Sequence, residues 1–213
     1  MLDVGCGTGI STEILISKGA DVECMSPDLY NRQFINEKFK GAVKFHLTKF
    51  EEFSAEKKYD LILMSESSQY ISLKNLFEKC NSILNKDGYL LISDYFRNQA
   101  TGYYRNCAVL SRFLNGAEKN GFKIVRDEDI TENVLPTLLI GEIYYRKFVI
   151  PITEAIVSLA NDEIPIIIKM AKFFFRRKIK KVAEDIHNKN PEKLNPEKFR
   201  QNLRYMIYLF KKD

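Results

Sequence analysis

Short apolar runs and longer amphipathic stretches take turns along the first 125 residues, and this order predicts strands alternating with helices. Leu2-Asp3-Val4 opens as a strand and enters glycines at Gly5, Gly7 and Gly9, after which Ile10 to Lys18 reads as a helix ended by Gly19. Val22 to Met25 predicts a second strand. Ser26-Pro27 opens a helix through Phe34 and Phe39, with the proline in a tolerated first-turn position. Val43 to Leu47 alternates as a third strand, and Tyr59 to Met64 is a buried fourth. Leu73, Leu76, Phe77, Cys80, Ile83 and Leu84 recur at helical spacing, Asn85 to Gly88 reads as a turn, and Tyr89 to Ser93 is the fifth strand. Leu110, Phe113, Leu114 and Ala117 give a further helix, ended near Asn120-Gly121, before a sixth strand from Phe122 to Val125. Leu203 to Phe210 has the aromatic and branched content of a last strand.

Between the sixth and last strands, from about Pro136 to Pro196, the pattern is helical and punctuated by Pro151 and Pro165. Ile168, Ala171, Phe175, Ile179, Val182 and Ile186 share one helical stripe, while Lys169, Lys172, Arg176 and Lys180 share a neighbouring one. Ile164, Ile166, Ile167, Phe173 and Phe174 make the first half apolar nearly all round. Two readings stand: a helical cap packed on the sheet, or a lid with a lipophilic lining. In the second, Arg176, Arg177, Lys178, Lys180 and Lys181 touch an anionic substrate, or residues 164–182 make a peripheral membrane contact.

A chain of 213 residues suits one domain, residues 1–213, carrying that helical segment as a lid or cap insertion. With 45% hydrophobic and 29% charged residues it belongs to the soluble globular class. No apolar run reaches the roughly 20 residues that cross a bilayer, and no signal-peptide pattern is present, so a cytoplasmic location is expected. Cys6, Cys24, Cys80 and Cys107 lack CxxC spacing, and His46 and His187 stand far apart; no metal site is expected. Much of the net charge of +5 lies late in the chain, which fits a local basic surface better than a nucleic-acid binder.

The glycine turn carries the chemistry. Glycines there permit unusual torsions and close approach of a ligand, and the helix start offers unpaired N–H groups. The dinucleotide pattern G-x-G-x-x-G fails because its sixth position is Ile10, and the phosphate-loop pattern fails because Thr8-Gly9-Ile10 has no lysine. Asp3-Val4-Gly5-Cys6-Gly7-Thr8-Gly9 instead resembles the first motif of class I S-adenosylmethionine (SAM) methyltransferases, and LNKDGYLLISDYF is similar to that family's turn and fifth strand. The resemblance covers about two thirds of the chain and leaves the helical insertion outside. It implies an α/β, Rossmann-like, doubly wound seven-stranded sheet of order 3-2-1-4-5-7-6, strand 7 antiparallel, with the insertion before the last strand. It further implies S-adenosyl-L-methionine as methyl donor and a small, partly apolar acceptor attacked through oxygen, nitrogen or carbon. An RNA or protein methyltransferase and a catalytically inactive SAM-binding partner subunit are the alternatives; against RNA stands the lack of an Asn-Pro-Pro-Tyr-like sequence after strand four. Family members usually carry covering helices before the first strand, which here begins at Met1. The expectation is that the natural protein extends further, or that the cover comes from elsewhere and the site is open.

The same resemblance assigns residues. Asp3 positions the loop and the donor's amino-acid end, and the backbone of Val4, Gly5, Cys6, Gly7 and Gly9 touches its methionine part. After strand two, where relatives place an acid on the ribose hydroxyls, aligning Ser26-Pro27 puts Cys24, next to Met25 and Ser26; Asp28 is the substitute, with a helix N-terminal charge as its other reading. After strand three Lys49 replaces the usual acid near adenine, while Phe50 offers its N–H and a ring edge, or is a core aromatic. Ser65 and Glu66 edge the methionine or methyl region. Tyr70 stands where many small-molecule enzymes have histidine, although a phenol with an ordinary pKa near 10 is a poor base. Asp94-Tyr95 resembles the Asp-aromatic pair of phosphoethanolamine-type enzymes. Asp94 is thus the expected proton acceptor or cation-orienting group, with Tyr70 and Tyr95 beside it, unless it caps the following turn. His46 reads as structural, His187 as solvated, and Cys6 and Cys24 as small fillers.

Overall fold

The strands form because branched and aromatic residues alternate or cluster in short runs, and the glycines between them reverse the chain onto the sheet. The computed structural model describes the chain except residues 101–103 and the side chains of Lys172 and Lys189, so Lys172 of the expected cationic stripe lies outside the described residues. Two units separate, residues 1–130 with 203–213 and residues 131–202.

The first unit contains β1 (Leu2–Val4), α1 (Ile10–Ser17), β2 (Glu23–Met25), α2 (Leu29–Lys38), β3 (Phe45–His46), β4 (Tyr59–Ser65), α3 (Leu73–Ile83), β5 (Leu84–Arg97), α4 (Leu110–Lys119), β6 (Phe122–Asp129) and β7 (Leu203–Lys212). The sheet order is β3-β2-β1-β4-β5-β7-β6. The first five strands run parallel, and β7 is antiparallel to both β5 and β6. This is the expected doubly wound sheet, whose reversal of strand order beside β1 and β4 opens a crevice at their carboxyl ends. Leu2, Ile62, Met64, Leu90 and Ile92 pack with Leu76 and Phe77 of α3 and Phe113 of α4 into one core. Aromatic rings form its centre: Phe113 lies 5.2 Å from Phe77 and 4.5 Å from Phe96 between centroids. Cys6, Cys24, Ile35 and Val43 form a second, smaller cluster.

Local differences from the expected elements have local causes. The α2 helix begins at Leu29 because Asp28 caps it, accepting the Tyr30 N–H at 2.8 Å, and Pro27 therefore stands outside the first turn. The third strand shortens to Phe45–His46. Asn85 to Gly88 is absorbed into β5 as a bulge: Tyr59 pairs with Leu84 and Leu61 with Tyr89, so four residues of β5 oppose one of β4, with Asp87 at φ 60°. The sixth strand continues to Asp129 because β7 offers it partners as far as Met206.

The second unit is helical: α5 (Thr131–Tyr144), α6 (Ile150–Glu163), α7 (Pro165–Phe174), α8 (Arg176–Glu184), α9 (Asn190–Leu194) and α10 (Pro196–Asn202), with π-helical turns at Tyr145–Val149 and Asp185–Lys189. Arg200 of α10 holds Glu132 of α5 through two hydrogen bonds of 2.8 Å, and Asn195 reaches Glu142 at 3.3 Å. The helical stripe expected from Ile168 to Ile186 is interrupted at Phe175, whose φ of −114° and ψ of 20° end α7 before α8 begins. Among the described residues no helix is long and apolar enough to cross a membrane.

Candidate active site

The turn from β1 into α1 is built by three left-handed glycines that need glycine for different reasons. A Cβ on Gly5 would sit 2.5 Å from the Ser67 Cβ, and one on Gly9 would sit 2.5 Å from Ile35 Cδ1; both glycines permit packing. Gly7, at φ 52°, has no atom within 4 Å of the Cβ position, so it leaves open space beside the backbone. The Met25 carbonyl accepts the N–H groups of Gly5 and Cys6, and the Cys6 carbonyl accepts that of Gly9, which closes the turn.

Beneath the turn, buried Asp3 accepts a 2.7 Å hydrogen bond from Thr12 Oγ1. Burial raises its pKa, and the Thr12 bond acts against that rise. Thr12 Oγ1 also lies 3.1 Å from Cys24 Sγ. The side chains of Cys6 and Cys24 therefore occupy the second core cluster, as the filler reading has it, and those of Val4 and Met25 the first. At the end of β2, buried Ser26 accepts from the Asp28 N–H and from Asn31 Nδ2. Asp28 is exposed as the α2 cap. Lys49 is exposed and 4.0 Å from Glu52, while the Phe50 ring lies in the main core.

The other half of the site comes from the ends of β4, β5 and β7. Ser67 donates to the Val4 carbonyl at 2.6 Å, which ties the segment after β4 to the glycine turn. Ser65 and Glu66 are exposed there, and Glu66 takes a left-handed φ of 53°, its N–H held by the Ser93 carbonyl. Such a conformation is strained for a residue with a side chain and is found where surrounding contacts impose it. Tyr95 and Tyr205 donate to the same Glu66 oxygen, Oε1, at 3.2 and 2.9 Å, with their rings stacked 4.4 Å apart. Burial pushes the Tyr205 phenol up to about 12 and raises that of Tyr95 as well, with Glu66 adding to both. Both hydroxyls are therefore protonated donors near neutral pH.

Asp94 is fully buried. Its Oδ2 accepts from Ser68 Oγ at 2.6 Å and the Gln69 N–H at 3.1 Å, and its Oδ1 from the Tyr95 N–H at 2.8 Å. Desolvation raises its pKa against these three bonds. The carboxylate holds the short 3-10 turn Ser68–Tyr70, which precedes it in the chain, whereas the sequence suggested the turn that follows. Tyr70, at the end of that turn, is 76% exposed. Tyr205 escaped the sequence reading because only the antiparallel register, Tyr95 opposite Tyr205, places it here.

The residues of this crevice fit a donor such as SAM: a left-handed glycine with open space, exposed polar residues at neighbouring strand ends, and no phosphate-binding lysine in the turn. Comparisons with known proteins agree. Residues 2–92 match the family described as a methyltransferase domain. A malonyl-[acyl-carrier protein] O-methyltransferase of Ilyobacter polytropus is 32% identical over 100 residues, covering 45% of this chain and 39% of the relative. A ubiquinone biosynthesis O-methyltransferase of Bradyrhizobium sp. is 24% identical over 146 residues, covering 66% and 58%. The chain thus spans well under two thirds of these curated relatives. The geranyl diphosphate C-methyltransferase of Streptomyces coelicolor, solved with S-adenosyl-L-homocysteine, superposes with a TM-score of 0.67 at 14% identity over 100% of this chain and 71% of that one, a likeness of fold.

Fold and glycine turn together resemble those of a class I methyltransferase domain. The match to the methyltransferase domain covers residues 2–92, less than half of the chain, and the likeness to the solved structures is one of fold.

Proposed function

We propose that the protein transfers a methyl group from SAM to a small, partly apolar acceptor. The observation that carries this reading is Gly7, left-handed and open on its Cβ side, at the carboxyl end of the strand where the sheet reverses its order. The names of the relatives, which act on a carrier-bound malonyl group and on quinone precursors, support a small-molecule acceptor. SAM supplies a methyl carbon already activated by its sulfonium, so the protein's share is alignment and, for a protonated acceptor, removal of a proton.

In this proposal Gly5, Cys6, Gly7 and Gly9 present the backbone to the donor's methionine part, with Asp3 and Thr12 fixing the turn from below. Ser26, Asp28, Lys49 and the backbone of Cys24, Met25 and Phe50 edge its nucleoside part. Ser65 and Glu66 lie beside the methyl group. Tyr95 and Tyr205 hold Glu66 Oε1 and so aim Oε2 at the acceptor, which makes Glu66 the proton acceptor or cation-orienting group. Asp94, buried under three donors, acts as a positioning residue for the turn that carries Tyr70.

Titration calorimetry with S-adenosyl-L-homocysteine tests the site. A valine at Gly7 places a branched side chain at positive φ and in the open space, so Gly7→Val is expected to weaken binding at least ten-fold; unchanged affinity overturns the site. Glu66→Gln is expected to reduce turnover roughly 100-fold, within the usual range for a positioned acid or base, while affinity for S-adenosyl-L-homocysteine stays within a few-fold. Unchanged turnover would leave transfer to alignment alone.

A further inference from the structure

Residues 164–182 hold seven Lys and Arg and no Asp or Glu, whereas the rest of the chain carries 26 Lys and Arg against 28 Asp and Glu. The entire positive balance of the protein therefore resides in 19 residues. The same segment exposes large apolar side chains: Phe173 is 80% exposed, Ile166 75% and Phe174 68%. These belong to α7, while α8, beyond the break at Phe175, carries Arg176, Arg177, Lys178, Lys180 and Lys181, all exposed and none in an ion pair among the described residues. Apolar and cationic groups thus share one short stretch of surface, side by side.

We propose that α7 and α8 dock on the surface of an anionic lipid bilayer. Each half of the segment excludes a simpler partner. A polyanion such as nucleic acid would take the cations and leave the phenylalanine and isoleucine side chains in water. A second copy of this segment, laid face to face, would bring seven cations against seven. A bilayer interface accepts both: apolar side chains enter the acyl boundary, and lysine and arginine reach the phosphates just above it. At 10 residues α7 is about 15 Å long, half the thickness of a hydrocarbon core, so it lies on the bilayer and does not span it. Such docking would bring the protein to where apolar acceptors dissolve. The proposal does not depend on the methyltransfer reading, because donor binding is measured separately.

Flotation of the full chain with vesicles tests it. Binding is expected to phosphatidylcholine vesicles containing about one third phosphatidylglycerol, to weaken with added salt as the cations are screened, and to be absent with phosphatidylcholine alone. A cation near such a surface changes partitioning about five-fold, so the triple change Arg176→Gln, Arg177→Gln, Lys178→Gln is expected to lower it by about 100-fold. Phe173→Ser with Phe174→Ser is expected to lower binding to the same anionic vesicles by at least ten-fold at low salt. Melting followed by circular dichroism and affinity for S-adenosyl-L-homocysteine are expected to be unchanged in both variants. No flotation with anionic vesicles overturns the proposal, as does equal flotation of the parent and the charge variant. Concentration-dependent dimerisation without flotation overturns it in favour of a second copy.

Discussion

Phenylalanines occupy opposite environments in the two units of this protein. In the sheet unit Phe77, Phe96, Phe113 and Phe210 are at most 1% exposed and interlock ring against ring, while in the helical unit Phe173, Phe174 and Phe175 remain more than half exposed. The difference lies in what closes over them. Seven strands with α3 and α4 give each ring in the sheet unit neighbours from several parts of the chain. In the helical unit α7 and α8 follow one another along the chain and leave these rings exposed. Apolar content alone therefore marks a core only where topology supplies a second surface.

The comparison breaks most readily in a denaturation experiment. Phe77→Ala removes a ring from a packed cluster and is expected to cost about 3–5 kcal/mol. Phe173→Ala deletes the same atoms from solvent and is expected to change stability by less than about 0.5 kcal/mol. Urea titrations of both variants check this. A loss of more than about 2 kcal/mol at Phe173 would mean that the helical unit has an interior around that ring.

The same contrast explains what could be read in advance. The strands and the glycine turn were legible because each rests on a local pattern, apolar runs bounded by glycines and a carboxylate next to them, whereas the strand order followed from the resemblance that this turn carries. The bulge at Asn85 to Gly88 looked like a turn because its residues are turn residues; only pairing with Tyr59 and Leu61 makes it part of a strand. Tyr205 was invisible as a site residue because its place beside Tyr95 is fixed by pairing between distant segments. Asp94 stood out by its position after a strand, but two of the three donors that hold it, Ser68 and the Gln69 N–H, come from tertiary structure. The helical segment was legible as helix, while the break at Phe175 was not, because it rests on backbone torsions that no stripe of apolar residues announces.

Charge shows the same division between the interior of the sheet unit and its surface. Glu23 at the start of β2 accepts from His46 and Tyr59 at 2.7 Å and pairs with Lys57 at 2.8 Å. Burial alone would raise its pKa, but the bonds from Lys57, His46 and Tyr59 outweigh it and hold the carboxyl at about 2, below its ordinary 4.5. A depressed carboxylate stabilises the fold fully above the unfolded value and loses that contribution as pH falls through the folded one. The stabilisation is present above pH 4.5 and lost toward pH 2. Glu23→Gln is expected to flatten stability against pH in that window, whereas Glu56→Gln, which removes an exposed partner of Lys44, is expected to leave the profile unchanged. Chemical denaturation at a series of pH values measures both; identical profiles for parent and Glu23→Gln would remove Glu23 from the account.

The smallest expected effect is at Asp28, where a structural and a ligand-binding role meet in one exposed carboxylate. As the cap of α2 it accepts the Tyr30 N–H, and Asp28→Ala is expected to cost about 1 kcal/mol. Asparagine retains the accepting oxygen but loses the charge, so Asp28→Asn is expected to restore most of that stability. If the carboxylate also faces the donor's ribose, affinity separates from stability: affinity for S-adenosyl-L-homocysteine stays about ten-fold down in the asparagine variant although its stability is restored, because the neutral hydrogen bond that remains is roughly half as strong as the charge-assisted one, and falls further in the alanine variant. If affinity follows stability instead, weaker in the alanine variant and restored in the asparagine variant, the cap is the whole role of Asp28, and the ribose edge of the site rests on Ser26, whose hydroxyl already organises the entry to α2.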